Sequence, residues 1–465
     1  MNRSAARHAI IIGGGASGVL LAYQLLQTQG SDFRVTLIER RRDIGRGLAY
    51  HTGNPDHLLN VRAANMSALP DDPDHFWRWL SRPGPLQRLC PDPFCFVPRR
   101  LYGDYIASLV EPLLAGACAP RSLTIVQGEC TDLTESSAGA AVTLADGRRF
   151  ACDIAILATG HDRAVKRPRH ADPWVAPSAE GIDGDATILI LGTGLTAIDY
   201  VLTLLAEGHR GLVIAMSRRG LMAKAHRRVD PVQIAESEVP FGAVASHLLH
   251  WFRARIAAHV AQGGDWRSVV DGIRPYTQRI WQELPLRGRR QFIEHLRAWW
   301  DVHRHRMAPE IEMRVSQALA DGRLKLMAAK LSSIDLNANG ALVRYRRRGQ
   351  TDIESMQVPA IVDCTGIVRD PRASANPVIR SLFDQGLARP DRLQIGVDIG
   401  TDCAIISRDG TPSRRLFAVG PLTRAAFWEI IAIPDIRNQC AELATQLIVS
   451  RAATDVPSED QVPAL

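Results

Sequence analysis

The 465-residue chain lacks any apolar run approaching the ~18 residues of a membrane helix, because glycines break its longest candidate. No membrane-spanning segment is therefore expected. A signal peptide is also disfavoured: "MNRSAARHAIII" places two arginines ahead of an apolar stretch, but a triple glycine interrupts it, so it reads as a first strand. No basic run interleaved with aromatics is present, which argues against a nucleic-acid groove. The net charge of +7 is small for the length and reads as scattered arginine on a solvated surface. Cysteine is sparse; eight residues with no dense framework suit reduced thiols in the cytoplasm. Metal chemistry finds little support. The most tempting segment, "HRHR" (303–306), sets His303 and His305 two apart and so off a common helical face. An ion-paired or anion-binding cluster is the better reading of it.

What is present is ordinary globular composition, 46% hydrophobic and 23% charged, which excludes wholesale disorder. Against that background, residues 8–26 stand out: "HAIIIGGGASGVLLAYQLL". "AIII" (9–12) reads as a buried parallel strand. Gly13, Gly15 and Gly18 follow as G-x-G-x-x-G. Gly13 lets the chain turn off the strand, Gly15 lets backbone approach a pyrophosphate, and Gly18 lets the next helix pack close. Ser17 lies at the start of that helix, whose free N–H groups favour phosphate. A second strand, "RVTLIE" (34–39), ends in Glu39, where a carboxylate bonds ribose hydroxyls and repels a 2′-phosphate. Strand, glycines, helix, strand and acid in register predict an FAD site. Arg40 follows at once and is a candidate to pair with the cofactor.

A shorter echo begins at 186, "ATILILGTGLTAIDYVLTLLA". Gly192, Gly194 and Ala197 give G-x-G-x-x-A, and Leu195 and Thr196 open the helix behind it. The following strand, "GLVIAMSRR" (211–219), ends in Ser217 and Arg218 instead of an acid. Hydroxyl and guanidinium groups there suit the 2′-phosphate of NADPH, with NADH as the alternative.

Two strands ending in small residues, "DIAILATG" (153–160, with Thr159 and Gly160) and "AIVDCTG" (360–366, with Gly366), bracket the second unit. Near the C-terminus, "LFAVGPL" (416–422) carries Gly420 and Pro421 into a turn, and a helix follows near Ile433. From about 223 to 330 the pattern becomes helical, and five tryptophans gather there: Trp251, Trp266, Trp281, Trp299 and Trp300. The fold class expected is α/β, with two Rossmann-like dinucleotide-binding domains and a helical insertion. The FAD domain takes 1–160 and 361–465, the NAD(P) domain 161–222 and 331–360, and the insertion 223–330.

These motifs resemble the two-dinucleotide flavoproteins. The chain looks like the bacterial FAD/NAD(P)-binding proteins of that superfamily and, more distantly, like the flavin-containing (class B) monooxygenases and amine N-hydroxylases. The resemblance also rests on "GRGLAY" (45–50), "HLLNVRAANMSALPDDPDHFWRWL" (57–80), "FVPRRLYGDYI" (96–106), "DVHRHRMAPE" (301–310) and "GPLTRAAFWEIIAIPDIRNQ" (420–439). It implies that Arg46 reaches phosphate and that Asn60, Val61 and Met66 run beside the isoalloxazine. Asn60 then either bonds the flavin or its peroxide, as the catalytic candidate, or stabilises a turn. Arg99, Arg100 and Tyr102 either line the same cleft or form a buried salt bridge. The implied activity is monooxygenation of a small molecule: NADPH reduces the flavin and O2 adds as a C4a-(hydro)peroxide. A reductase that does not oxygenate, and a non-catalytic redox sensor, are the rival readings. Cys90 and Cys95 match the C-x-x-x-x-C spacing of flavin disulfide reductases. Their segment "CPDPFC" holds two prolines that a helix rejects, and it lies far beyond Glu39, so a catalytic disulfide is not expected.

Overall fold

The computed structural model describes residues 6–84, 86, 89–115, 122–161, 170–366 and 371–452. The first five residues, part of the segment weighed as a signal peptide, lie outside this range. Strand Arg7–Ile12 runs parallel to Phe33–Glu39 on one side and to Ile154–Leu157 on the other. Ser122–Gln127 extends this sheet at one edge. Pro412–Ala418 and Ala404–Ile406 extend it at the other, so its six strands come from both ends of the chain. Ala9–Ile11 are fully buried, as expected of a β-branched strand covered on both faces.

The second sheet repeats the plan. Ile188–Leu191 lies between Val213–Ser217 and Ala360–Asp363, parallel to both. Leu324–Asn337, Gly340–Arg347 and Glu354–Val358 continue it on one flank and His170–Ala171 closes the other. Each sheet pairs a central strand with one glycine loop and one helix, Ala16–Gln27 in the first and Leu195–Ala206 in the second. A three-stranded antiparallel sheet, Cys130–Glu135, Ala140–Leu144 and Arg149–Cys152, accompanies the first.

Helices between Ala245 and Arg304 form the insertion. Helix Pro309–Ala320 packs under the second sheet instead, burying Ile311, Val315 and Ala318 in that core. Strand Leu324–Asn337 then runs through residue 330, the boundary expected from sequence. The seam therefore falls before Pro309, because the apolar face of that helix belongs to the sheet. Among the described residues, no helix is long and apolar enough to cross a membrane.

Candidate functional site

The first glycine loop is sterically closed. Gly13 has φ +110°, and a Cβ there would lie 2.4 Å from the carbonyl oxygen of Ala158 on the return strand. A Cβ at Gly18 would lie 1.9 Å from the Gly13 carbonyl oxygen, so helix and loop touch through bare backbone. The "GRGLAY" segment folds over the loop: Gly45 N–H donates to Gly14 O at 2.7 Å, and Gly47 Cα would lie 3.3 Å from a Cβ at Gly15. Glu39 caps the loop, accepting from Gly14 N–H at 2.7 Å and from Arg41 N–H at 3.0 Å. Its negative charge thus stands at the mouth of a backbone cradle at a helix N-terminus, which fits a dinucleotide with an unphosphorylated ribose. Gly160 borders open space, and a Cβ at Gly420 would press on Ser17 Oγ at 2.3 Å, so the turn after the C-terminal strand reaches this loop.

The second loop has the same construction. Gly192 has φ +108°, and a Cβ there would meet Cys364 O at 2.6 Å. Gly194 and Gly366 border open space, with Leu195 and Thr196 half-buried at the helix start. At the strand end, Ser217 Oγ accepts from Thr193 Oγ1 at 2.9 Å and from Gly220 N–H at 3.0 Å. Arg218 is exposed beside it, while Arg219 donates to His295 O at 2.8 Å and so ties the loop to the insertion. Hydroxyl and guanidinium groups replace the acid, which fits a 2′-phosphate.

Several expected contacts are redirected. Arg40 is exposed and faces Glu129 at 3.6 Å; Arg41 is the arginine that reaches the loop, donating to Gly47 O at 3.0 Å. Arg46 pairs with Asp104. Met66 and Ile433 are 2% exposed and packed in the first core, so their side chains serve packing, and Val61 packs against that core. Pro421 is buried in the turn after Gly420. Arg99 makes a largely buried salt bridge with Asp199 at 2.8 Å, and Tyr102 is wholly buried. The expectation of reduced thiols throughout needs correction: Cys90 and Cys95 are bridged, with Cα atoms 5.6 Å apart. Their loop abuts the Asn60–Met66 segment, with Ala63 N–H on Cys95 O and Ala64 N–H on Pro93 O. The five free cysteines among the described residues are buried, and burial pushes Cys130 and Cys152 up to about 12.

Residues that the sequence did not single out hold the pieces together. His57 spans the two halves: its Nε2 contacts Asp199 O and Thr203 Oγ1, both at 2.9 Å, and its Nδ1 contacts Thr52 Oγ1 at 2.7 Å. His226 Nε2 donates to the Asn60 carbonyl at 3.0 Å, tying Asn60 to the chain beyond the second cradle. Burial, reinforced by Arg306, pushes His226 down to about 3 and keeps it neutral. Glu429, buried with φ +65°, accepts from Trp300 Nε1 and from Arg304 Nε at 3.0 Å. Burial raises its pKa, but Arg304, His305 and Trp300 outweigh that and hold it below the usual carboxyl range. The "HRHR" segment is thus ion-paired to the turn after Gly420. Trp281 stacks on Trp428 at 4.6 Å in the same seam. A cleft of about 380 Å³ opens there, lined by Asn65, Arg274, Asp435, Arg437 and Asn438.

Residues 10–162 match a family model described as FAD-NAD(P)-binding. Comparison with curated proteins gives no match. Among solved structures, the chain is similar to the ornithine N-hydroxylase of Kutzneria sp. 744 solved with reduced FAD, NADP+ and L-ornithine (TM-score 0.66, 13% identity, 96% of this chain and 100% of that one). It is similar to DfoA, the FAD-bound cadaverine monooxygenase of Erwinia amylovora (TM-score 0.62, 15% identity, 99% and 98%). The L-lysine 6-monooxygenase of Pseudomonas syringae is comparable (TM-score 0.61, 15% identity, 96% and 99%). At these identities the likeness establishes the fold, two dinucleotide-binding Rossmann-like sheets in one chain, over nearly the whole length.

Proposed function

We propose that the chain is a cytoplasmic FAD-dependent monooxygenase that uses NADPH and O2 to hydroxylate a small organic substrate. The observation that carries this reading is the duplication of one phosphate cradle within a single chain, with an acid closing one copy and Ser217–Arg218 closing the other. Bound FAD supplies two-electron chemistry and O2 activation, and NADPH supplies the hydride.

The chain's own residues do the rest. Gly13, Gly15 and Gly18 admit the FAD pyrophosphate to bare backbone, and Glu39 selects an unphosphorylated ribose. Gly192 and Gly194 do the same for the nicotinamide cofactor, and Arg218 meets its 2′-phosphate. Asn60 lies on the segment that passes the flavin, its carbonyl fixed by His226. The insertion, clamped through Glu429, walls the seam and limits water, which a reactive oxygen species requires. The amine-hydroxylating activities named for the solved neighbours support oxygenation over simple reduction.

The test is direct. The purified protein should be yellow, bleach anaerobically with NADPH, and recolour with O2. With substrate present, NADPH and O2 consumption should match hydroxylated product. A folded sample that stays colourless and refuses FAD ends the reading. The bridged Cys90–Cys95 pair favours a second reading, an NADPH-dependent reductase. That reading requires the two thiols to appear on anaerobic NADPH addition; their absence removes it.

A further inference from the structure

Arg306 is 2% exposed, yet among the described residues only Nη2 of its guanidinium is hydrogen-bonded, to the carboxylate of Asp271. Its Nε and Nη1 are buried without a hydrogen-bond partner among the described residues. Arg62 on the Asn60–Met66 segment is in the same condition at Nε, and its guanidinium lies 5.5 Å from the Phe94 ring. Both arginines act electrostatically on the ring of His226, and both share Asp271 as a counter-charge. Arg304 also acts on that ring, but its charge is matched by Glu429. Arg62 is half-buried and also meets Asp92 and Arg228, so the buried Arg306 together with Arg62 and Arg228 faces two carboxylates, Asp271 and Asp92, near the imidazole that fixes Asn60. Burial holds the Arg62 and Arg306 guanidinium groups below their usual pKa.

Buried arginine donors without acceptors are costly and rare in native proteins. A neutral ligand would leave the excess charge unmatched, and an ammonium ion would be repelled. We infer that the substrate carries a small oxyanion, a carboxylate or phosphonate, held by Arg62 and Arg306 beside Asn60. The inference rests on the monooxygenase reading for its location, and it adds a charge requirement. A ligand whose only charge is an amine is excluded from this position.

The test uses the FAD-loaded protein titrated with hexanoate, hexylphosphonate and hexylamine, read by calorimetry and by the shift in thermal midpoint. One oxyanion should bind saturably and outcompete hexylamine by at least about tenfold, the scale of one charge-assisted hydrogen bond. Which of the two binds identifies the oxyanion. Replacing the enclosed Arg306 risks the fold, so Arg62→Gln carries the test; it should erase the preference while the ligand-free midpoint stays close to that of the parent. Three results overturn the inference: no oxyanion binding at millimolar concentration, hexylamine binding as tightly, or the preference surviving in Arg62→Gln. NADPH bleaching and O2 recolouring, measured on the same samples without ligand, report separately on the monooxygenase reading.

Discussion

At Gly13 a side chain would strike the carbonyl of Ala158 at 2.4 Å; at Gly192 it would strike that of Cys364 at 2.6 Å. The loop amide that follows the first strand donates to Ile38 O, and its counterpart in the second sheet donates to Met216 O, each at 2.8 Å. At these contacts the two cradles match, although Ala197 stands where the first has Gly18 and Gly194 lacks the neighbour that Gly47 gives Gly15. They part at the end of the next strand, where Glu39 takes two backbone N–H groups and Ser217 takes Thr193 and Gly220. The lesson is a division of labour. Under the proposed function, steric exclusion at the glycines makes a phosphate site, and one side chain at the strand end decides which nucleotide it prefers.

The comparison can be broken most forcefully at the glycines. Gly13→Val combines a strained backbone with a clash against backbone and should cost more than about 3 kcal/mol. It should emerge without flavin, read from visible absorbance after purification. Gly192→Val should stay yellow and lose NADP+ binding by calorimetry; a variant that loses both ligands would show that the cradles are not independent. The link between them comes next. Arg99→Ala strands Asp199 in a buried site and should lower the unfolding free energy by about 3 kcal/mol in denaturant titrations. Selectivity is a smaller effect. Arg218→Ala should raise KM for NADPH about tenfold, about 1.4 kcal/mol, and leave NADH unchanged. Equal effects on the two nucleotides would remove the 2′-phosphate assignment.

The smallest effect concerns pH. Burial depresses the pKa of His57 in the folded chain, so the unfolded chain binds the proton more readily. Stability should be full above the ordinary histidine value and fall as pH drops below it. His57→Gln should flatten part of that slope in thermal melts; His226, depressed further, and the depressed His8, His75, His161, His209 and His305 contribute the rest.

The cradles were legible because their signals are local. A buried β-branched strand, glycines at fixed offsets and a terminal residue of known charge all lie within one stretch of chain. Side-chain direction was not. Arg40 and Arg41 are adjacent, and only the packed loop decides that Arg41 turns toward Gly47. Met66 and Ile433 occupy the expected segments but point into the core, which no spacing reveals. Glu429 gave no signal at all: its role depends on Trp300 and Arg304 more than a hundred residues earlier. The Cys90–Cys95 spacing was visible, but the bridge itself required the turn that brings the two together.

One further consequence concerns how the chain is made. Strand Ile154–Leu157 pairs on one side with Arg7–Ile12, available early, and on the other with Pro412–Ala418, which leaves the ribosome late. All strands of the second sheet, His170 to Asp363, are synthesised in that interval. The nested unit can thus fold while its host still shows a bare edge to solvent. Nascent chains stalled before residue 412 should recruit holdase chaperones, and release past that point should end the need for them.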